Sequence, residues 1–229
     1  MCTSVRCSGE ETFLFAALVF FVATHVVALA AMALVLGPGM DPGASSVSAR
    51  MAWIAPHATT WRLGWLPWQL SALSDLGVCL ALLSWAPSQR RVVIAALVLD
   101  LVAAIPEQWS ELQLVTSFVD ASRGHPDAWR AAWSLYAGVT GVWANGVYTA
   151  MTACWFVVAR RHLGRAVLPT AIEIAILVLF TIAGWLTYAA CTSATDAETA
   201  TWFARSTIFD GLAFPALVLW TRVLAWRVR

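Results

Sequence analysis

The stretch Val92–Glu111, VVIAALVLDLVAAIPEQWSE, poses the problem on which the fold turns. Its apolar run, interrupted by Asp100 alone, lasts from Val92 to Ile105, fourteen residues. At about 1.5 Å per residue that is roughly 21 Å of helix, short of a hydrocarbon core about 30 Å thick. To cross a membrane the helix must run on through Pro106 and carry Glu107 into or near the bilayer, with Glu111 close behind. Asp100, Glu107 and Glu111 stand at i, i+7 and i+11, and at about 100° per residue they fall within roughly 40° of one another. Pro106 has no N–H to give, so it should kink the helix and strip the carbonyl near Val102 of its helical partner. A bent helix with an acidic stripe should face protein or a water-filled cavity, not lipid.

That lipid is the solvent follows from composition. The 229 residues are 60% hydrophobic and 12% charged, with fourteen tryptophans, and the mean hydropathy is +0.73. A water-soluble domain is about 45–50% apolar and about 25% charged, so this chain cannot clothe itself in polar groups. Tryptophan favours the headgroup zone, where its ring is half apolar and its N–H finds a partner.

Five further segments are long and apolar enough to span. The expected set is 13–36, 63–86, 92–111, 136–159, 167–190 and 206–226, which makes an all-α, polytopic membrane helical bundle with six transmembrane helices in one domain, 1–229. The first run is much longer than the roughly 7–15 apolar residues of a signal peptide, so it reads as an uncleaved helix. Val47 to Ile54, in the loop after it, reads as a short interfacial helix. Arginine placement orients the bundle. With both termini inside, the inner side holds Arg6, Arg90, Arg91, Arg160, Arg161, Arg165, Arg222, Arg227 and Arg229; the outer side holds Arg50, Arg62, Arg123, Arg130 and Arg205. The setting expected is the cytoplasmic membrane of a bacterium, and the lipid bilayer is the first partner.

Composition also excludes. A net charge of +1 argues against a nucleic-acid partner. All fourteen basic residues are Arg, so no lysine Schiff base can form. Cys2, Cys7, Cys79, Cys154 and Cys191 make no metal-binding or redox spacing. No hydrolase elbow, zinc-protease helix, phosphate loop or dinucleotide fingerprint is present, and nothing in the sequence calls for a metal or another cofactor.

One pattern occurs twice. HATTWRLGW at His57–Trp65 and HPDAWRAAW at His125–Trp133 both read His-x-x-x-Trp-Arg-x-x-Trp. Each lies on the outer side before a descending helix, with its tryptophans at i and i+4 on one face. Trp61, Arg62, Trp65, Trp129, Arg130 and Trp133 are therefore read as interfacial anchors. A paired proton or metal site at His57 and His125 is the sharper alternative, and duplicated hairpins a third.

Within the spans, Asp75, Asp100 and Glu107 are the leading candidates for ligand or proton binding, with His25, Asn145 and Glu173 beside them. An ionised carboxylate at mid-bilayer costs about 2.5–3.5 kcal/mol even on the insertion scale, and no Arg stands at mid-depth to pair one. The acids should be buried together, hydrated, protonated or paired, or open onto an aqueous pocket. Ser71 and Ser74 share a face with Asp75, and with Asn145 they could serve only as interhelical glue; His25 could be a packing histidine. Asp210 and Glu198 fall near the outer interface, where solvation is cheap, and read as structural.

Three functions fit. A small proton-linked transporter or polar-solute binder suits the proline-broken third and sixth spans, since discontinuous helices line transport sites. A membrane enzyme would use His25, Asp75, Asp100 and Glu107 as acid–base groups on a lipid or isoprenoid. A non-catalytic accessory protein would pair its acids with a partner's bases. A vestibule reaching Asp75 and Asp100 favours the first, a lateral slot the second, and a solid core or flat exposed face the third.

Overall fold

The computed structural model describes residues 9–40, 46–193 and 195–228; Cys2, Arg6, Cys7, Asp41 and Arg229 lie outside them. The described chain is helical throughout. Helix α1 (Gly9–Ala31) passes through a π-helical turn at Met32–Leu36 into the short α2 (Gly37–Met40). Then come α3 (Val47–Ile54), α4 (Ala58–Trp85), α5 (Arg90–Val115) and the short α6 (Ser117–Ala121). Helix α7 (Pro126–Tyr136) continues through a π-helical segment, Ala137–Ala144, into α8 (Asn145–Leu163), and α9 (Thr170–Cys191) and α10 (Asp196–Arg227) complete the chain.

Six helical stretches are long and apolar enough to cross a membrane: Gly9–Met40, Ala58–Trp85, Pro87–Ala121, Pro126–Leu163, Thr170–Cys191 and Ala197–Arg227. The protein is thus an all-α six-helix bundle whose spans fit an integral membrane protein. Several helices outrun the apolar segments read from the sequence, because hydropathy marks the part in oil and not the helix. The fourth begins at Pro126, where proline at the first helical position needs no N–H. The fifth begins after Pro169, whose extended backbone delays the helix to Thr170.

The spans pack as a ring in chain order. Each touches the next, and α10 closes the circle against α1. Short connections between antiparallel neighbours make this the simplest arrangement for six helices. Helix α5 shows the division of faces. Asp100, Ala103, Glu107, Ser110, Glu111 and Leu114 are buried, while Val98, Leu101, Ile105, Trp109 and Leu112 are exposed. The stretch after Pro106 is continuous helix with its carboxylates inward.

The ring is filled at both ends. At the arginine-rich end, where Arg90, Arg161 and Arg227 cluster by chain position, Leu18, Phe21, Leu82, Trp155, Phe156 and Trp220 form a solid floor. Trp155 donates its indole N–H to Cys79 Sγ at 3.2 Å. At the opposite end α2, α3, α6 and α7 fold into a cap around Trp61, Trp65, Phe118, Trp129, Trp133 and Tyr136.

The repeated tryptophan motif belongs to this cap. Trp61, Trp65, Trp129 and Trp133 are 0, 0, 1 and 7% exposed, so their rings meet one another and Phe118 instead of lipid headgroups. The two copies also differ in use. Trp61 Nε1 donates to Leu114 O and Arg62 Nε to Val115 O, both at 2.9 Å. These are carbonyls of the last turn of α5, which have no partner inside their own helix. Trp129 and Trp133 instead receive the Arg50 guanidinium, 4.5 and 4.1 Å from their ring centres, an aromatic clamp on a buried cation. Arg50 Nε also donates to Gly39 O at 2.9 Å. Arg130 is exposed and pairs with Asp127 at 3.2 Å. His57 Nδ1 lies 2.7 Å from Trp53 O and its ring stacks on Trp53, a local contact within the cap.

Candidate functional site: an acidic cavity between floor and cap

Between floor and cap the ring encloses a cavity of about 590 Å³, within the roughly 300–1,000 Å³ range of ligand pockets. Four carboxylates reach it from three spans: Asp75 on α4, Glu107 and Glu111 on α5, and Asp210 on α10. His25 of α1 and Tyr148 of α8 join them. Among the described residues no Arg lines the cavity. A concave site with four acids against one histidine favours positive charge or hydrogen-bond donors.

Each polar group is placed by its own helix. Thr24 donates to Ser74 Oγ at 3.0 Å, fixing α1 against α4 one residue from both His25 and Asp75. His25 Nδ1 sits 2.9 Å from Phe21 O, which leaves Nε2 facing Asp75 Oδ1 at 3.8 Å. That gap is too long for a hydrogen bond, and Asp75 Oδ1 receives none from the described residues. Tyr148 donates to Glu107 Oε2 at 2.6 Å, a short bond of the kind a carboxylate acceptor gives. One turn on, Ser110 donates to Glu107 O at 2.9 Å and lies 2.7 Å from Thr140 Oγ1 of the π-helical segment. Glu111 Oε2 is buried and receives no hydrogen bond from the described residues. Across the cavity Ser206 lies 3.4 Å from Asp210 Oδ2 and 2.7 Å from Thr187 of α9, and Asp210 Oδ1 is buried without a donor among the described residues.

Three chain irregularities border the site. The π-helical segment offers Thr140 and Gly141 to the lining, and such widened turns gather at functional sites. A methyl on Gly141 would stand 2.6 Å from Thr187 Cγ2, so glycine lets this segment press against α9. Pro215 removes the helical bond that would end on the carbonyl of Gly211, and Gly211 belongs to the lining. A second π-helical turn, Met32–Leu36, forms part of the wall on the first span.

The structure thus brings together His25, Asp75, Glu107 and Asn145 of the residues singled out from the sequence. Asp100 and Glu173 stand apart from the cavity. Asp100 is fully buried about 10 Å along α5 from Glu107, and neither of its carboxylate oxygens receives a hydrogen bond from the described residues. Glu173 is held by Arg160 at 2.6 Å, by the Trp220 indole at 3.0 Å and by the backbone N–H groups of Val167 and Leu168 at 3.2 and 3.4 Å. It ties the α8–α9 turn to α10 at the floor. Glu111 and Tyr148 line the cavity without having been singled out as site candidates from the sequence, and so does Asp210, which the sequence placed near the outer interface as structural. Asp210 had a signal in retrospect, namely Ser206 one turn before it and Pro215 five residues after, the pattern of a polar break inside a span.

No protein-family model, curated protein or solved structure matches the chain.

Proposed function

We propose that this protein binds a small polar solute or protons in the acidic cavity and carries them across the membrane, as a small proton-linked transporter. One observation carries the reading: Asp75, Glu107, Glu111 and Asp210, from three different spans, converge with His25 on one cavity that no Arg lines among the described residues. Acids that served only to hold helices together would be saturated by donors, as Glu173 is. Asp75, Glu111 and Asp210 each keep an oxygen that no donor among the described residues reaches. Pro106 and Pro215 each remove one backbone bond from helices that stay continuous, and two π-helical segments contribute to the lining, the kind of irregularity that gathers at functional sites. We place the arginine-rich end in the cytoplasm of a bacterial cell, by the excess of arginine there.

The test is proton movement in vesicles. Purified protein in liposomes loaded with a pH-sensitive dye should dissipate an imposed pH gradient, and Asp75→Asn and Glu107→Gln should abolish this while keeping folded yield. Equal flux through wild type, both variants and empty liposomes would refute the reading. A second reading, an enzyme acting on a lipid or isoprenoid, draws support from the exposure of some lining residues on the first and sixth spans. It requires that membrane lipid be chemically changed on incubation with the protein, which mass spectrometry of the extract would reveal.

A further inference from the structure

The exposed members of the cavity lining are Ala33, Ala204, Thr207 and Gly211. All four lie on the first and sixth spans, and all four are small. Lower down these two spans are packed together, as the ring of His25 on α1 lies 6.3 Å from that of Phe214 on α10. Above that level the exposed residues of the lining are all small, and we take this thin stretch of wall as a sideways gap. Its depth follows from helix geometry. Thr207 stands fifteen residues before Arg222 and Gly211 eleven before it, about 22 and 16 Å along the axis. With Arg222 near one membrane boundary, the gap runs from mid-membrane toward the other boundary of a core about 30 Å thick.

From this geometry we infer that the cavity takes a monovalent organic cation with an apolar or aromatic body, which enters from the membrane between the first and sixth spans. The inference rests on the acidic cavity being a binding site, and adds the class of its ligand and the route. Three observations converge on it. The charge is set by the acids: Asp75, 7% exposed, and Glu111, 1% exposed, both belong to the lining, and each keeps a buried carboxylate oxygen with no hydrogen-bond donor among the described residues. The body is set by the rings of Phe21, Trp68, Tyr136, Phe180 and Phe214, which offer apolar area and cation–π faces. The route is set by the gap, which opens where a strongly hydrated ion such as sodium would have to cross lipid, whereas an amphipathic cation already gathers there. Phospholipid suits the same gap poorly, because its phosphate would meet four carboxylates.

Binding of radiolabelled tetraphenylphosphonium to the full-length protein in nanodiscs tests this, with empty nanodiscs as background. Saturable binding is expected, competed by a benzyl quaternary ammonium salt and not by tetraphenylborate, an anion of the same shape. Asp75→Asn and Glu111→Gln should each weaken it at least tenfold. Thr207→Trp, at an exposed position outside the packed core, should slow association severalfold at unchanged folded yield. Binding of tetraphenylborate as tight as that of the cation, or affinity untouched in both carboxyl variants, would overturn the assignment. Should those variants fail to fold, Thr207→Trp decides alone, since an unaltered association rate contradicts the lateral route. Asp75-dependent proton flux without any tetraphenylphosphonium binding would remove the organic cation and leave the transport reading standing; loss of both would remove both.

Discussion

The indole N–H of Trp143, on the π-helical segment, donates to the carbonyl of Val102 on α5 at 3.3 Å. This is the carbonyl that Pro106 deprives of its helical partner, four residues on. A neighbouring span has taken over the missing bond, at a side chain otherwise half in contact with lipid. The pairing explains how α5 can carry a proline through the membrane without leaving a bare backbone group in oil, where each would cost several kcal/mol.

Trp143→Phe should therefore destabilise the protein by about 0.5–1.5 kcal/mol. In a Pro106→Ala background, where the residue-106 N–H can again reach Val102, the same change should cost much less. Reversible unfolding in mixed micelles gives all four corners of the cycle. Equal costs in both backgrounds would show that the contact does not serve the broken bond.

Tyr148→Phe removes the donor at 2.6 Å from Glu107 Oε2 and leaves a buried acceptor unpaired, at a cost of about 1–3 kcal/mol. Glu107→Gln combined with Tyr148→Phe should recover part of this, because a neutral amide is cheaper to leave without a partner. Thermal unfolding of the two variants in detergent measures the difference.

Gly141→Ala should destabilise by about 1–3 kcal/mol through overpacking, because the new methyl would stand 2.6 Å from Thr187 Cγ2. Thr187→Ser deletes that methyl and keeps the hydroxyl that bonds Ala183 O and meets Ser206. The double variant should regain most of the lost stability, with denaturant midpoints as the readout.

Glu173→Ala separates anchoring from binding. Glu173 is buried with an Arg partner and three further donors; Arg160 is 43% exposed and can be solvated once alone, so the cost comes from the buried donors left unpaired and should be about 1–3 kcal/mol. Because Glu173 lies outside the cavity lining, whatever fraction folds should bind cavity ligands as the wild type does. A folded Glu173→Ala protein with altered ligand affinity would contradict this division.

The six spans were legible because lipid imposes one simple demand, about twenty apolar residues in a row. The inward face of α5 was legible too, since Asp100, Glu107 and Glu111 repeat with the helical period and their burial follows from cost. What stayed hidden depends on which helices meet. Asp210 reads as an interfacial residue along its own span, and only the closure of α10 against α1 turns it toward Asp75 and Glu107. Glu173 looks like a membrane-buried acid from hydropathy, yet Trp220 and Arg160, 47 and 13 residues away, saturate it. The tryptophans of the repeated motif sit where their amphipathic rings suggest, at one end of the spans, but composition is blind to the direction a ring faces. Once α3, α6 and α7 cover them, they become a core. The π-helical turns have no sequence signature of their own.

The claim on which all else depends is that the stretch after Pro106 runs inside the membrane with its acids turned into the ring. Nitroxide labels at Ile105, Trp109 and Leu112, which are 68, 51 and 50% exposed, measure it directly in nanodiscs by accessibility to oxygen and to a water-soluble nickel complex. All three face away from Glu107 and Glu111, so the expected result is high oxygen and low nickel accessibility at Ile105 and Trp109, with nickel accessibility first rising at Leu112. Nickel accessibility at Ile105 and Trp109 as high as at the exposed loop residue Arg123 would place the acidic stretch in water and contradict a sheltered site.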